Sequence, residues 1–267
     1  MAKAPVHGVI LCYRDRDRAG DPARLPVVLV HGAAGGTHVW FHQIGALGRR
    51  RRVLAPDLPA HGCSKQRPDE PVTIQLYAAM VTELAGQLGI SRALFVGHSM
   101  GGAVVLQAAL DRPDMVAGLV VGACGARLPV SQAVFDVVEN NYQQFGDLVS
   151  QFAFGPTADP DLVKLYTEPP LVASQQTVAD DFRACAAFDI TDRLASIPQP
   201  TVVLHGTKDR MVSRRLVEEL VSGLGHARLV EFEGVGHMLF QEAPEATTET
   251  IESFAAELES GNTRERA

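Results

Sequence analysis

Residues Ala93 to Leu110 read ALFVGHSMGGAVVLQAAL. An apolar strand-like run, a G-x-S-x-G motif centred on Ser99 and an apolar helix-like run follow one another here without a break. This order predicts a sharp strand-to-helix turn, which forces the central serine into an unfavourable backbone conformation and exposes its hydroxyl. An ordinary loop serine is the alternative. The flanking strand and helix favour a nucleophile.

Strand-like and helix-like runs alternate on both sides of this motif. Between residues 127 and 197 the apolar residues instead follow helical spacing, and no strand-like run interrupts them. We therefore predict an α/β fold, a mostly parallel sheet with helices on both faces, with a helical insertion. The predicted core is 1–126 and 198–267, and the predicted insertion is 127–197. The predicted strands are 9–15, 26–30, 52–56, 93–97, 115–123, 201–206 and 227–232, and the predicted helices are 40–47, 73–89, 100–110, 214–224 and 244–258.

A serine hydroxyl needs a base, and the base needs a carboxylate to orient it. His237 lies in the loop after the last predicted strand, at the sheet edge where α/β proteins bind their ligands. Asp209 directly follows the strand before it, and the order Ser99, Asp209, His237 is one of the known triad orders. We interpret His98, beside the nucleophile, as a packing or hydrogen-bonding residue. The rival acids are Asp57, Asp189 and Asp192.

Two backbone N–H groups are candidates for an oxyanion hole. Met100 opens the helix after the nucleophile, and Ala33 lies in the glycine loop HGAAGG at residues 31–36. Small residues there let the backbone approach a substrate closely. The loop lacks the Lys-Ser/Thr ending of a P-loop and a clean GxGxxG, which argues against a nucleotide site.

Composition narrows the function class. The 267 residues carry a net charge of -7, which argues against nucleic-acid binding, and 46 % of them are hydrophobic, as is usual for globular proteins. No run has the length of a signal peptide or of a membrane span, and the four cysteines show no metal-ligand spacing. We therefore expect a cytoplasmic protein, with all four cysteines reduced and acting as small packing residues.

Five motifs, in order, carry a family resemblance that extends from about residue 9 to residue 258. They are HGAAGG, DLPAHGCS, GHSMGG, LHGTKDRMVS and GVGHMLFQEAPE. The chain resembles the α/β-hydrolase superfamily, and within it the cofactor-free esterases, perhydrolase-like enzymes and carbon–carbon bond hydrolases. The resemblance implies the α/β-hydrolase fold and the triad, and the predicted mechanism needs no metal or organic cofactor. In relatives Gly is common where Ala60 stands, and the first strand of the family is expected to be short or missing.

The insertion is rich in aromatic residues and is expected to form a lid over the triad. It holds 8 of the 15 Phe and Tyr residues, although rings of this kind often only pack a lid on its core. This favours a small to medium carboxylic ester with an apolar portion as the substrate. Cleavage of a thioester, a peracid or a carbon–carbon bond is the alternative, as is a ligand receptor that retains the triad. The candidate substrate contacts are Trp40, Phe135, Tyr142, Phe145, Met211 and Met238.

Overall fold

Eight β-strands form one sheet in the computed structural model, which describes residues 1–168 and 173–261. The strands are β1 Ala2–Val6, β2 Val9–Arg16, β3 Val27–Val30, β4 Val53–Pro56, β5 Ala93–His98, β6 Val116–Gly122, β7 Thr201–Gly206 and β8 Ala227–Phe232. The α-helices are α1 Phe41–Leu47, α2 Ile74–Gln87, α3 Met100–Asp111, α4 Gln132–Asn140, α5 Phe145–Phe152, α6 Pro160–Thr167, α7 Gln175–Ala186, α8 Arg214–Gly223, α9 Leu239–Glu242 and α10 Pro244–Ser260. Short 3-10 helices occupy Thr37–Trp40, Tyr142–Gln144 and Thr191–Ser196.

The sheet has the order β1-β2-β4-β3-β5-β6-β7-β8. All neighbours from β4 to β8 pair in parallel, whereas β1 and β2 form an antiparallel hairpin and β2 pairs antiparallel with β4. The predicted α/β fold is confirmed. The first strand is not missing: β1 has five residues, and all of them pair with β2.

Apolar side chains pack on both faces of the sheet. On one face, α2, α3 and α8 contribute to a cluster with residues such as Tyr77, Val104 and Leu216. On the other face, α1 and α10 contribute Leu47 and Phe254. Strands covered on both faces bury every residue, which explains why β3, β5, β6 and β7 are mostly apolar.

Local signals fix the ends of helix α2. The side chain of Thr73 accepts a hydrogen bond from Leu76 N at 3.0 Å, as an N-cap residue does. Gly89, just beyond the helix, has φ 75°, and the Ile90 N–H donates to the Ala85 carbonyl at 2.9 Å. A left-handed glycine at this place ends a helix without strain.

The prediction of four reduced thiols is wrong for two of the cysteines. Cys12 on β2 and Cys63 in the loop after β4 form a disulfide bond, 51 residues apart in sequence. Ser64 links the same segments, because its Oγ accepts from Cys12 N at 2.7 Å and donates to Asp57 O at 2.8 Å. Cys124 and Cys185 are free and buried, as predicted. The cytoplasmic location stays a prediction, without the support that four reduced thiols would give it.

Helices α4 to α7 lie between β6 and β7 in the chain. We call them the inserted helices. The predicted insertion also includes residues 169–172, and the predicted core includes 262–267, which lie outside the described residues. In the ranges 1–168 and 173–261, no helix is long and apolar enough to cross a membrane.

Candidate active site

Ser99 lies at the turn between β5 and α3, in a strained conformation. Its φ is 54° and its ψ is -119°, a region that residues with a side chain rarely adopt. Two glycines allow this turn: a Cβ at Gly97 would overlap the backbone of Gly101, and a Cβ at Gly101 would overlap the Val30 carbonyl. The Ser99 N–H donates to Gly122 O of the neighbouring strand at 2.9 Å, which anchors the turn to the sheet.

The two predicted oxyanion donors flank this serine. Gly32 packs directly on Ser99, since a Cβ built on it would lie 3.2 Å from Ser99 Cβ, and Ala33 is the next residue. Met100 is the first residue of α3, where backbone N–H groups lack partners inside the helix. Across the described chain, neither the Ala33 N–H nor the Met100 N–H has a protein acceptor. Both N–H groups are free to bind a developing oxyanion.

His237 and Asp209 form a buried pair at the same edge of the sheet. Nδ1 of His237 lies 2.9 Å from Asp209 Oδ2, and the other oxygen of Asp209 accepts from Met211 N at 2.8 Å and from Val212 N at 2.9 Å. Burial alone would raise the pKa of Asp209, but His237 and these two amides lower it below its ordinary value. The carboxylate is therefore held ionised against the imidazole.

Two further residues hold the loop that carries His237. Nε2 of His98 lies 2.9 Å from the His237 carbonyl, so His98 is a hydrogen-bonding residue, as predicted. Glu242 accepts from Gly236 N at 3.1 Å and from Gly155 N, ahead of α6, at 2.9 Å. Burial raises the pKa of Glu242. Glu242 could not be recognised from the sequence, because it lies in a predicted loop 87 residues from Gly155.

The rival acids Asp57 and Asp189 accept hydrogen bonds from other parts of the chain. Asp57 accepts from Thr37 N at 2.6 Å and from Cys63 N at 3.0 Å, and so fixes two loops. Asp189 accepts from the backbone N–H and the hydroxyl of Thr191. Among the described residues, Asp209 is the acid that hydrogen-bonds to His237. No group of three or more His, Cys, Asp or Glu in the described ranges is placed to hold a metal ion.

Three of the candidate substrate contacts lie among the inserted helices. Phe135, Tyr142 and Phe145 belong to an apolar cluster that also contacts Ala33 and Ala34 of the glycine loop. These rings therefore share one apolar cluster with the residue of the predicted oxyanion donor.

The other three candidates are more widely spread. Met238, next to His237, packs with Phe154, and Met211 is 37 % exposed beside Asp209. The prediction that Trp40 contacts the substrate is wrong, because Trp40 is fully buried in the core. Its ring centroid lies 4.6 Å from that of Phe240. A side chain that the core encloses is a packing residue and not a contact in an open pocket.

A cavity of about 660 Å³ opens between the inserted helices and the loop after β7. Phe154, Asp209 and Arg210 line it, but Ser99 and His237 do not border it within the described residues. The cavity therefore borders the acid of the predicted triad without bordering the predicted nucleophile.

Because His31 and His98 are buried, we predict that the protein loses stability in acid. Burial, together with the neighbouring His61 for His31 and His237 for His98, lowers both pKa values from 6.5 to about 3. Between pH 6.5 and pH 3 the unfolded chain binds these protons and the folded chain does not, so stability falls as the pH falls. From pH 7 to pH 5 we expect each histidine to cost about 2 kcal/mol.

Urea unfolding of the protein and of a His98→Gln variant, at both pH values, checks this expectation. Glutamine retains an N–H donor for the His237 carbonyl but does not titrate. The stability difference between pH 7 and pH 5 should therefore shrink by about 2 kcal/mol in the variant. An identical pH dependence in the two proteins would show that His98 accepts a proton inside the fold.

The sequence and the fold are similar to those of known proteins. A sequence model described as the alpha/beta hydrolase family matches residues 27–250. The chain is 28 % identical to the magnesium-chelatase 30 kDa subunit of Rhodobacter capsulatus over 86 % of this chain and 87 % of that protein. It is 26 % identical to the 2-hydroxymuconate semialdehyde hydrolase of Pseudomonas sp. strain CF600, over 88 % of each chain. Among solved structures, the enol-lactonase of Burkholderia xenovorans LB400 has a TM-score of 0.87 and 27 % identity, over 96 % of this chain and 100 % of that one.

Proposed function

This chain belongs to the alpha/beta hydrolase family, and from that premise we propose that it is a serine hydrolase that cleaves carboxylic esters through an acyl-enzyme. The observation that carries the proposal is the buried 2.9 Å contact between His237 Nδ1 and Asp209 Oδ2, at the edge of the sheet where the strained Ser99 turn lies. The enol-lactonase supports the substrate class, because a lactone is a cyclic ester.

In the proposed mechanism Ser99 is the nucleophile. Its Oγ attacks the acyl carbon while Nε2 of His237 takes the hydroxyl proton, and the N–H groups of Ala33 and Met100 bind the oxyanion. His237 then donates that proton to the leaving alcohol. A water molecule, deprotonated by the same imidazole, then attacks the acyl carbon, and the imidazolium returns its proton to Ser99 Oγ as the acid leaves. Asp209 keeps the proton of the neutral imidazole on Nδ1 and stabilises the imidazolium.

We further propose that the insertion, residues 127–197, is a lid over this site and that 1–126 and 198–267 form the core. Two contacts support this. The cluster of Phe145 and its neighbours packs against the glycine loop, and the Met238 N–H, beside the proposed base, donates to Ala153 O at 3.0 Å. An aromatic lid selects apolar acyl groups. The proposed partner is thus a small apolar ester.

A parallel panel of substrates tests the function. Acyl esters, acyl thioesters and vinylogous diketones are assayed with the protein and with Ser99→Ala. The proposal is supported if each site cleaves many ester molecules and if Ser99→Ala loses this activity. Faster cleavage of the thioester or of the diketone would mean that the triad acts on that bond instead. A single slow acylation without turnover would favour a receptor.

The apolar lid predicts a dependence on acyl chain length. Each buried methylene contributes about 0.8 kcal/mol, so kcat/KM for p-nitrophenyl esters should rise roughly fourfold per added carbon until the pocket is full. The measurement is kcat/KM against acyl length at low and high salt. Salt should leave the ranking unchanged, since apolar contacts are not screened. A flat profile, or a salt-sensitive preference for phosphate-bearing thioesters, would contradict an apolar lid.

A further inference from the structure

The glycine loop after β3 contains a strained residue beside the proposed oxyanion donor. Gly35 N donates to Gly32 O at 3.1 Å, which closes a four-residue turn around Ala33 and Ala34. Ala34, the third residue of that turn, has φ 58°, a conformation that turns normally reserve for glycine or asparagine. Alanine adopts it only where the surroundings hold it there.

One half of the turn is fixed from within the loop. The Gly32 carbonyl accepts from Gly35 N and also lies 2.8 Å from Nδ1 of His31, whose Nε2 accepts from Leu58 N at 3.0 Å. Because the Gly32–Ala33 peptide is planar, its N–H points opposite to that carbonyl. The Ala33 N–H is therefore directed away from His31 and Gly35. Its direction is maintained only while the rest of the turn stays in place.

The other half of the turn is held by a carboxylate from the inserted helices. Asp181 on α7 is completely buried, and its Oδ2 accepts from Ala34 N at 3.0 Å. The same oxygen lies 2.8 Å from His61 Nε2, and Oδ1 accepts from the Tyr77 hydroxyl at 2.9 Å. Asp181 thus joins α7 to the glycine loop, to the loop after β4 and to α2.

This buried carboxylate has a compensating charge. His61 Nδ1 faces the Pro59 carbonyl at 2.9 Å while Nε2 faces Asp181, so both ring nitrogens must donate. Burial works against the charged imidazole, but Asp181 and the Pro59 carbonyl outweigh it and raise the pKa of His61. An imidazolium paired with a carboxylate satisfies two charges that would be costly alone. Asp181 is therefore a rigid acceptor for the Ala34 N–H.

We infer that Asp181 is a positioning residue: it holds the Ala34 turn so that the Ala33 N–H stays directed at the oxyanion, and it couples that geometry to the docking of α7. This inference rests on the proposed function. Without the bond, Ala34 relaxes to a negative φ, the Ala33–Ala34 peptide rotates, and the loop that carries the donor moves. Apolar contacts strengthen the coupling, since Val178 and Phe182 of α7 lie in the cluster that touches Ala33 and Ala34.

Adjacent carboxylates on α7 supply a matched pair for the test. Asp180 pairs with Arg67 and with Arg183 near the surface, and within the described ranges it forms no hydrogen bond or ion pair with the glycine loop. Asp180→Asn is therefore the control. We compare it with Asp181→Ala, which removes every acceptor, and with Asp181→Asn. In Asp181→Asn no carboxylate stabilises the imidazolium, and neutral His61 keeps its proton on Nδ1 against the Pro59 carbonyl. The amide N–H then faces His61 Nε2 and the amide oxygen accepts from Tyr77, which leaves the Ala34 N–H without its acceptor.

The readout must separate an oxyanion effect from general damage. We expect kcat/KM for an ester to fall roughly 100-fold in Asp181→Ala, as on loss of one oxyanion donor, and roughly tenfold in Asp181→Asn, with the loss in kcat and not in KM. The inhibition constant of an alkyl trifluoromethyl ketone, which forms a tetrahedral oxyanion on the serine, should rise by the same factor. Asp180→Asn should match the unmodified protein in both.

Two results would overturn the inference. One is a folded Asp181→Asn variant with unchanged kcat and unchanged ketone affinity, which decides the matter even if Asp181→Ala does not fold. The other is a rise in KM alone, which would place Asp181 in substrate binding.

Hydrogen exchange separates this inference from the proposed function. The Ala34 amide, followed by NMR, should exchange faster in Asp181→Asn than in Asp180→Asn, whatever reaction the protein catalyses. A protein that neither hydrolyses esters nor reacts with a fluorophosphonate, yet shows this difference, would refute the proposed function and retain the link from Asp181 to the loop. Equal exchange rates in the two variants would refute the link itself.

Discussion

Replacing Ser99 with alanine is expected to lower ester hydrolysis by roughly a million-fold, the scale on which loss of a nucleophile lowers turnover in serine hydrolases. The reason is chemical: without Oγ no acyl-enzyme forms, and His237 has no hydroxyl to deprotonate. The hydroxyl makes no capping hydrogen bond to α3, so its removal should leave the fold intact. The measurements are kcat with a p-nitrophenyl ester and labelling by a fluorophosphonate, which should add one label to the unmodified protein and none to Ser99→Ala.

Ser213→Ala is the matched control for this experiment. Ser213 is exposed, precedes α8 on the same side of the molecule as Asp209 and forms no capping hydrogen bond. Its loss should change neither rate nor labelling. If Ser99→Ala were still labelled in full, the nucleophile would be another residue, and the proposed function would fail.

The parallel strands could be predicted because a strand that is buried on both faces has a mostly apolar sequence. β5 and β7 bury every residue, and such strands have mostly apolar sequences. The hairpin strand β1 could not be predicted this way. It lies at the sheet edge, alternates exposed and buried residues, and contains Pro5. Its pairing with β2 depends on a partner rather than on its own composition.

The candidate site shows the same division. The positions of Ser99, Asp209 and His237 follow from strand ends, which the sequence reveals. The contacts that fix them join distant segments: Glu242 and Gly155 are 87 residues apart, Asp181 and Ala34 are 147, and Cys12 and Cys63 are 51. Nothing in the local sequence around Asp181 distinguishes it from Asp180, because only the folded chain decides which of the two faces the glycine loop.

Ala60 is a position where the family resemblance led us to expect glycine. The residue has φ 64°, in the left-handed region that favours glycine. A left-handed conformation costs a residue with a Cβ roughly 1–2 kcal/mol. The loop takes this shape despite the substitution, held in part by the bond from Ala60 N to Gln66 O at 2.9 Å.

Replacing Asp209 with asparagine is expected to lower kcat roughly ten-thousand-fold while the protein stays folded. The hydrogen bonds around Asp209 give the reason. Its Oδ1 accepts from Met211 N and Val212 N, and an asparagine oxygen can keep both bonds. The amide nitrogen must then face His237 Nδ1, where it donates. The imidazole is forced into the tautomer with its proton on Nε2, which cannot accept the proton of Ser99. The measurement is kcat, with circular dichroism and urea unfolding as checks on the fold.

Asp57→Asn and Asp192→Asn test the assignment against the rival acids. Asp57 supports the loops at Thr37 and Cys63, so its variant should lose stability and keep most of its activity per folded molecule. Asp192 lies in the 3-10 helix Thr191–Ser196 and should affect neither. A larger fall in kcat for either variant than for Asp209→Asn, at unchanged stability, would give the role of the acid to that residue. The buried 2.9 Å contact would then be a structural bond that only orients the His237 loop. We expect the opposite order, because Asp209 is the acid that determines which nitrogen of His237 carries the proton.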